Sequence, residues 1–505
     1  MSSQIVDVPA SLASGDSGPV VLDGRGLGVA DVVRLAEGAA QPALGTDAVK
    51  RMTASWDAAR QIAATGRVYG RSTGVGANRN EDVPTEAAAE HGLRLLRSHA
   101  GAIGEELPAR QVRAMLAVRA NQLLAGGAGL RPSVVTALCE ALENGAYPVV
   151  NEFGSVGTGD LAALAQMGLA LVGEHPWRGA AAPEAQSLDN NDALALISSN
   201  ALTLGQSALA LHELRGLVAA TQVVGALSLL AVDGSHEAYA APVHAARPHR
   251  GSVEVARRMR ELIGAADRPT PPLGRLQDPY GFRCLPQIHG PAHDAADALE
   301  AVLAVEINAA AENPLICAED LAAYHHGGFY QAQLALSLDH FRLAVTQVAR
   351  LSTSRLSTLN EPAYTRLRPF LADPEPASSG VMILEYAAGA ALGDLRAFSA
   401  PASLGHAVLS RGVEEQASFA SLAARQTLRA CGAYRLVVGC ELVAAVRALR
   451  QRDLRPDPGL PVGRALELAE SVLDGEQADR PLTDDVTAAA RLLDRFTDIW
   501  RGSGA

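Results

Sequence analysis

Apolar residues recur at three-to-four spacing through most of this chain, the period of a helix with one face turned inward. The pattern predicts helices over 31–40, 46–65, 86–98, 108–126 and 132–144. Gly126-Gly127 and Asn144-Gly145 punctuate them. From about 191 the apolar stretches lengthen to 191–232, 290–312, 328–359, 380–398, 412–450 and 481–500, rich in Ala and Leu. Long, weakly amphipathic helices of this kind belong at the centre of a bundle, where most faces are buried. Only Val20-Val21-Leu22, closed by Asp23-Gly24, reads as a strand. The expectation is a mainly α protein in three parts: a mobile tail over 1–19, an N-terminal domain over 20–195, and a long-helix bundle with C-terminal helices over 196–505. The Pro- and Gly-rich connections 266–289 and 360–378 are long enough to be functional or to meet a neighbouring subunit.

Composition narrows the chemistry. A 48% hydrophobic content supplies a large core, and 4% aromatics favours Ala/Leu-packed helices over an aromatic-rich sandwich. The formal charge of −12 argues against nucleic acid as a partner. The only lysine is Lys50, in Ala-Val-Lys-Arg, so neither a Schiff-base lysine nor a phosphate-loop lysine is available. Five cysteines without a Cys-x-x-Cys pair, and no His-Glu-x-x-His, give no metal pattern and suit reduced thiols in a cytoplasmic setting. The first 20 residues lack a basic segment followed by an apolar one and are not read as a signal peptide. No uninterrupted apolar run reaches about 18 residues, so no membrane span is expected.

The densest glycine stretch is Phe153-Gly154-Ser155-Val156-Gly157-Thr158-Gly159-Asp160, ahead of a helical run. Taken alone it is a helix N-terminus with Asp160 as a favourable first-turn acid, or a weaker candidate for a phosphate cradle. Its surroundings add a third reading. Pro148-Val149-Val150, Gly154-Ser155-Val156-Gly157 and Gly159-Asp160-Leu161-Ala162 resemble the signature of the histidine and aromatic amino-acid ammonia-lyases. Further motifs follow in that family's order: Tyr69-Gly70-Arg71-Ser72-Thr73-Gly74, Ser98-His99-Ala100, Gln277-Asp278-Pro279-Tyr280 with Arg283, and Glu312-Asn313-Pro314-Leu315. The resemblance implies an ammonia-lyase-like fold, a homotetramer whose sites draw on several subunits, and a carbon–nitrogen lyase.

One departure bears on mechanism. The family cyclises an Ala-Ser-Gly triplet into an electrophile, methylidene-imidazolone. Here the stretch is one residue short and offers only Gly157-Thr158-Gly159, so no such group is expected. The resemblance assigns Tyr69 as general base, Arg283 to the substrate carboxylate and Tyr280 beside it as an orienting group. His99 and Glu414 match positions that hold an imidazole ring in the histidine branch. Ser198, Gln277, Phe329 and Glu385 complete the expected lining. Without the electrophile, a leaving group that departs unassisted is required. A quaternary trimethylammonium satisfies that, so the expected reaction is trimethylamine release from a histidine betaine of the ergothioneine or hercynine type. Two other readings stand beside it: an ordinary ammonia-lyase with an electrophile made from Gly157-Thr158-Gly159, and a non-catalytic homologue that binds a small ligand.

Overall fold

The computed structural model describes residues 5–6, 18–270 and 275–502. Most of the expected tail therefore lies outside the described residues. Helices dominate, as the periodicity predicts, and their bounds follow the punctuation: Thr46–Thr65, Ala88–His99, Ala109–Leu124 and Pro132–Asn144. Pro132 opens the last of these at a position where its missing N–H costs nothing, and Gly145 closes it in the left-handed conformation.

Three of the long stretches differ from expectation. The 191–232 stretch breaks at Ser198-Ser199-Asn200 into Ala193–Ile197 and Ala201–Ala231, because the Ser199 carbonyl accepts from the Asp160 N–H (2.7 Å) instead of continuing a helix. The 290–312 stretch begins earlier, at Leu285, and ends at Glu306. The 412–450 stretch becomes helical only at Ala420, which leaves 412–419 as a loop carrying Glu414. The span Ala193–Ala231 is long and apolar enough to cross a membrane, but 83% of its most apolar window is buried in the protein, which accounts for its composition.

Strands are short. Val20–Leu22 forms as predicted and pairs in parallel with Pro42–Gly45, which also pairs with Ile5–Val6. Ile103–Glu106 with Asn151–Phe153, and Leu315–Cys317 with Ala322–Tyr324, are antiparallel pairs too brief to be seen in the hydrophobic pattern.

The chain divides into two compact units. The first takes Met1–His212, Leu299–Leu338 and Pro401–Arg425; the second takes Glu213–Ala298, Asp339–Ala400 and Gln426–Ala505. In the first, every residue of Ala109–Leu124 from Val112 on is buried. Arg119 is among them: its guanidinium pairs with Glu312 (2.8 Å) and donates to the Leu196 carbonyl (3.0 Å) and the Ala195 carbonyl, so each of its nitrogens has a partner, while Glu312 Oε2 stays buried without one. In the second unit, Arg355 and Glu441 form a doubly bonded ion pair with no exposed surface.

Candidate active site

In the first unit, the glycine-rich loop, the Tyr69 loop and residues 409–421 are tied together by hydrogen bonds, Ala77 N–H of the Tyr69 loop donating to Ser410 Oγ (3.0 Å). Ser418 Oγ donates to the Gly157 carbonyl (2.8 Å), Phe419 N–H to the Val156 carbonyl (2.8 Å), and Ser421 Oγ to the Ser155 carbonyl (2.9 Å). Gly157 sits at φ +89°, and a Cβ there would lie 2.2 Å from Ser418 Oγ, so only glycine fits. The only serine of the loop, Ser155, donates to the Gly159 carbonyl (3.0 Å) and accepts from Gly157 N–H (3.1 Å). Thr158 Oγ1 donates to Glu414 Oε2 (3.4 Å), which puts Glu414 against the loop's centre.

Asp160 behaves differently from the sequence reading. It is buried, and its carboxylate caps not its own helix but Ala201–Ala231, accepting from Thr203 N–H (2.8 Å) and Thr203 Oγ1 (2.9 Å). Burial pushes this carboxyl above the usual range, opposed by those hydrogen bonds.

Tyr69 is half-buried on a loop that turns through Gly70 and Gly76, both at positive φ. Its phenol oxygen accepts from Gly76 N–H (2.8 Å), a bond that favours the phenolate. Burial outweighs that bond, and the Glu414 charge adds to burial, so the phenol lies above its ordinary range. A tyrosine base needs its phenol lowered, and among the protein's own groups Arg79 acts in that direction but is the weakest influence. The Tyr69 ring meets His325 edge-on, with centroids 6.2 Å apart.

His99 ends the helix Ala88–His99 with Nδ1 against the Leu95 carbonyl (2.9 Å). The same Nδ1 faces Ser98 Oγ (3.0 Å): it donates toward the carbonyl in one tautomer and accepts from the hydroxyl in the other. Among the described residues no hydrogen bond joins His99 to Glu414. Ser198 Oγ is occupied by Asn313 N–H (3.1 Å). Phe329 is half-buried, and its carbonyl accepts from Asn200 Nδ2 (2.8 Å) while Asn200 Oδ1 stays buried without a partner. Asn200 and His325 are therefore site candidates that the sequence reading passed over. Asn200 closes the polar break Ser198-Ser199-Asn200 and His325 opens the polar, glycine-containing run His325-His326-Gly327-Gly328, and these interruptions of the apolar pattern were the available signal.

The second unit carries the remaining predicted residues. Arg283, at the end of the single turn Tyr280–Arg283, lines a cavity of about 300 Å³ with Ser235, Glu237, Leu276 and Gln277. Its Nε donates to the Asp278 carbonyl (2.6 Å), and its guanidinium carbon lies 4.7 Å from the Tyr280 ring centre. Tyr280 and Gln277 are exposed. Glu385 stands in the first turn of Ile383–Phe398, where a carboxylate is favourable, and accepts from Asn360 Nδ2 (2.9 Å).

Residues 27–471 match the aromatic amino acid lyase family. The histidine ammonia-lyase of Geobacillus kaustophilus is 35% identical over 451 residues, 86% of this chain and 89% of that one. Among solved structures, histidine ammonia-lyase from Trypanosoma cruzi superposes with a TM-score of 0.87 at 28% identity, covering 96% of this chain and 94% of that one. Ergothionase from Treponema denticola, an ergothioneine-degrading enzyme solved with desmethyl-ergothioneine sulfonic acid, does so with 0.86 at 25% identity, covering 95% and 99%. The chain belongs to the aromatic amino acid lyase family. It is a carbon–nitrogen lyase with the ammonia-lyase fold, which replaces the reading as a non-catalytic binder.

Proposed function

We propose that this lyase eliminates trimethylamine from a histidine betaine of the ergothioneine or hercynine type, without an electrophilic prosthetic group. The observation that carries this reading is the 154–160 loop. It has no Ala-Ser-Gly triplet, its single serine hydroxyl is committed to Gly157 and Gly159, and the hydroxyl of Thr158 faces Glu414. These residues do not fit methylidene-imidazolone. The likeness to an ergothioneine-degrading enzyme supports the same substrate class.

In this reading Tyr69 takes the β-proton, the C–H electrons form the double bond, and the C–N electrons leave with neutral trimethylamine. The imidazole ring rests against His99 Nε2 and Glu414, and delocalises charge from the β-carbon. The substrate's fixed positive charge lowers the Tyr69 phenol, which the protein alone raises. Arg283 binds the carboxylate through its planar fork. Tyr69 and Arg283 belong to different units of the chain, and assembly of four copies brings such groups to one substrate. Exposed Leu276, Tyr280 and Leu404 (90%, 69% and 81%) are apolar surface that such an assembly covers.

Amine release from purified enzyme tests the reading. Trimethylamine from the betaine should exceed ammonia from histidine by orders of magnitude in kcat/KM, and comparable rates would contradict it. The second reading, a histidine ammonia-lyase with an electrophile built from Gly157-Thr158-Gly159, is favoured by relatives such as the Geobacillus enzyme. It requires the peptide around 154–160 to weigh less by two waters, which an intact-mass measurement decides.

A further inference from the structure

Behind the Tyr280–Arg283 turn lies a buried polar assembly that the proposed chemistry does not use. Arg355 and Glu441 are fully buried and joined by two bonds, Nε to Oε1 (2.6 Å) and Nη2 to Oε2 (2.8 Å). Glu441 also accepts from Ser228 Oγ (2.7 Å) and Ser352 Oγ (2.5 Å), so its lone pairs are largely committed. That leaves Arg355 Nη1 to donate outward, and it does so to the Gly281 carbonyl (3.3 Å). One residue on, the Phe282 carbonyl accepts from the buried Tyr239 hydroxyl (3.0 Å). The approach is close enough that a Cβ on Gly281 would lie 2.9 Å from Arg355 Cγ. On the other side of the turn, Asp278 is held by Arg275 (2.8 Å) and by Ser235 N–H (2.5 Å), and its carbonyl receives Arg283 Nε.

A buried ion pair is weak evidence for stability, since apolar residues of similar volume often do as well. Its presence calls for another account, and the two carbonyl contacts supply one. We infer that Arg355, locked by Glu441, and Tyr239 are positioning residues: they fix the Gly281 and Phe282 carbonyls and thereby aim the Arg283 fork at a substrate carboxylate. The inference rests on Arg283 being the carboxylate group. A bidentate contact tolerates little angular error, so a turn free to rotate loses carboxylate affinity while ring and amine contacts, made elsewhere, remain.

The test uses two probes on the full-length enzyme, L-histidine and its decarboxylated amine histamine, with binding measured by calorimetry. The ratio of their Kd values isolates the carboxylate. Tyr239→Phe removes one hydroxyl and keeps the ring. It should cut the preference for histidine by about five- to tenfold, the scale of one lost hydrogen bond, with histamine affinity unchanged. Arg355→Lys keeps the charge on Glu441 but cannot span both Glu441 and Gly281, and should act in the same direction. Arg283→Lys is the reference. If it leaves the ratio unchanged, or the unaltered enzyme shows no preference, the assignment of Arg283 fails and takes the brace with it. If Arg283→Lys abolishes the preference while Tyr239→Phe and Arg355→Lys both keep it, the brace alone is overturned. Equal loss of both affinities in the two brace variants also overturns it, because that pattern belongs to general loosening.

Discussion

The Tyr69 phenol lies above its ordinary range, held there first by burial and then by the Glu414 carboxylate, while Gly76 N–H pulls the other way. A base raised in this way ionises only at alkaline pH in the free enzyme. The expected profile of kcat/KM therefore rises through pH 9 without a plateau, and Glu414→Gln, by removing a negative charge, should move that limb to lower pH. A limb that stays in place or moves upward would show that Glu414 does not act on Tyr69. Tyr69→Phe should lower kcat by about 10²–10⁴ with folding intact, the usual range for lost acid–base catalysis. Near-full turnover in that variant would remove Tyr69 from the base role.

Elements and their periods were legible; the loops that carry the chemistry were legible only as strings. Helices such as Ala109–Leu124 and Pro132–Asn144 announce themselves because local spacing and end signals coincide. The 412–419 stretch reads as helix start, yet after a single tight turn ending at Gly412 it is an irregular loop, because Ser418 and Phe419 bond to a loop over 250 residues earlier in the sequence. Asp160 reads as a first-turn acid and instead caps the helix of Thr203, a long-range partner that no local pattern encodes. Arg250–Ile263 was passed over because so many of its positions are charged, although Val255, Ala256, Met259, Leu262 and Ile263 bury one face. The loop junction is itself testable. Gly157→Ala must place a Cβ against Ser418 Oγ at a φ of +89°, a strain of about 1–3 kcal/mol. It should lower Tm and also displace Glu414, costing activity beyond the loss of folded enzyme. An Ala variant with unaltered Tm and turnover would show that the junction is loose.

At the scale of the whole molecule, acid should weaken the fold through buried histidines. Burial lowers His293 to about 4 and holds His289 well below its ordinary value, so the native state keeps both neutral while the unfolded chain protonates near 6.5. The unfolded state then binds more protons below 6.5, and stability is lost as pH falls through that value, by about 2 kcal/mol at pH 5 for His293 alone. His293→Gln should shrink the drop in Tm between pH 7 and pH 5, and an unchanged drop would locate the acid sensitivity elsewhere. Assembly gives the last expectation. If one site takes Tyr69 from one subunit and Arg283 from another, two inactive proteins complement each other. Tyr69→Phe subunits still carry Arg283, and Arg283→Lys subunits still carry Tyr69. Random mixing then gives both intact groups at about a quarter of the sites, the product of two even chances. Separately purified variants, unfolded together and reassembled, should regain activity toward that fraction, with a mass of four chains by light scattering. Each variant reassembled alone should regain none. If both groups come from the same subunit, every site in the mixture keeps one defect. Recovery to about a quarter of the activity therefore separates a shared site from a private one, and absence of any gain in a reassembled tetramer would refute the shared site.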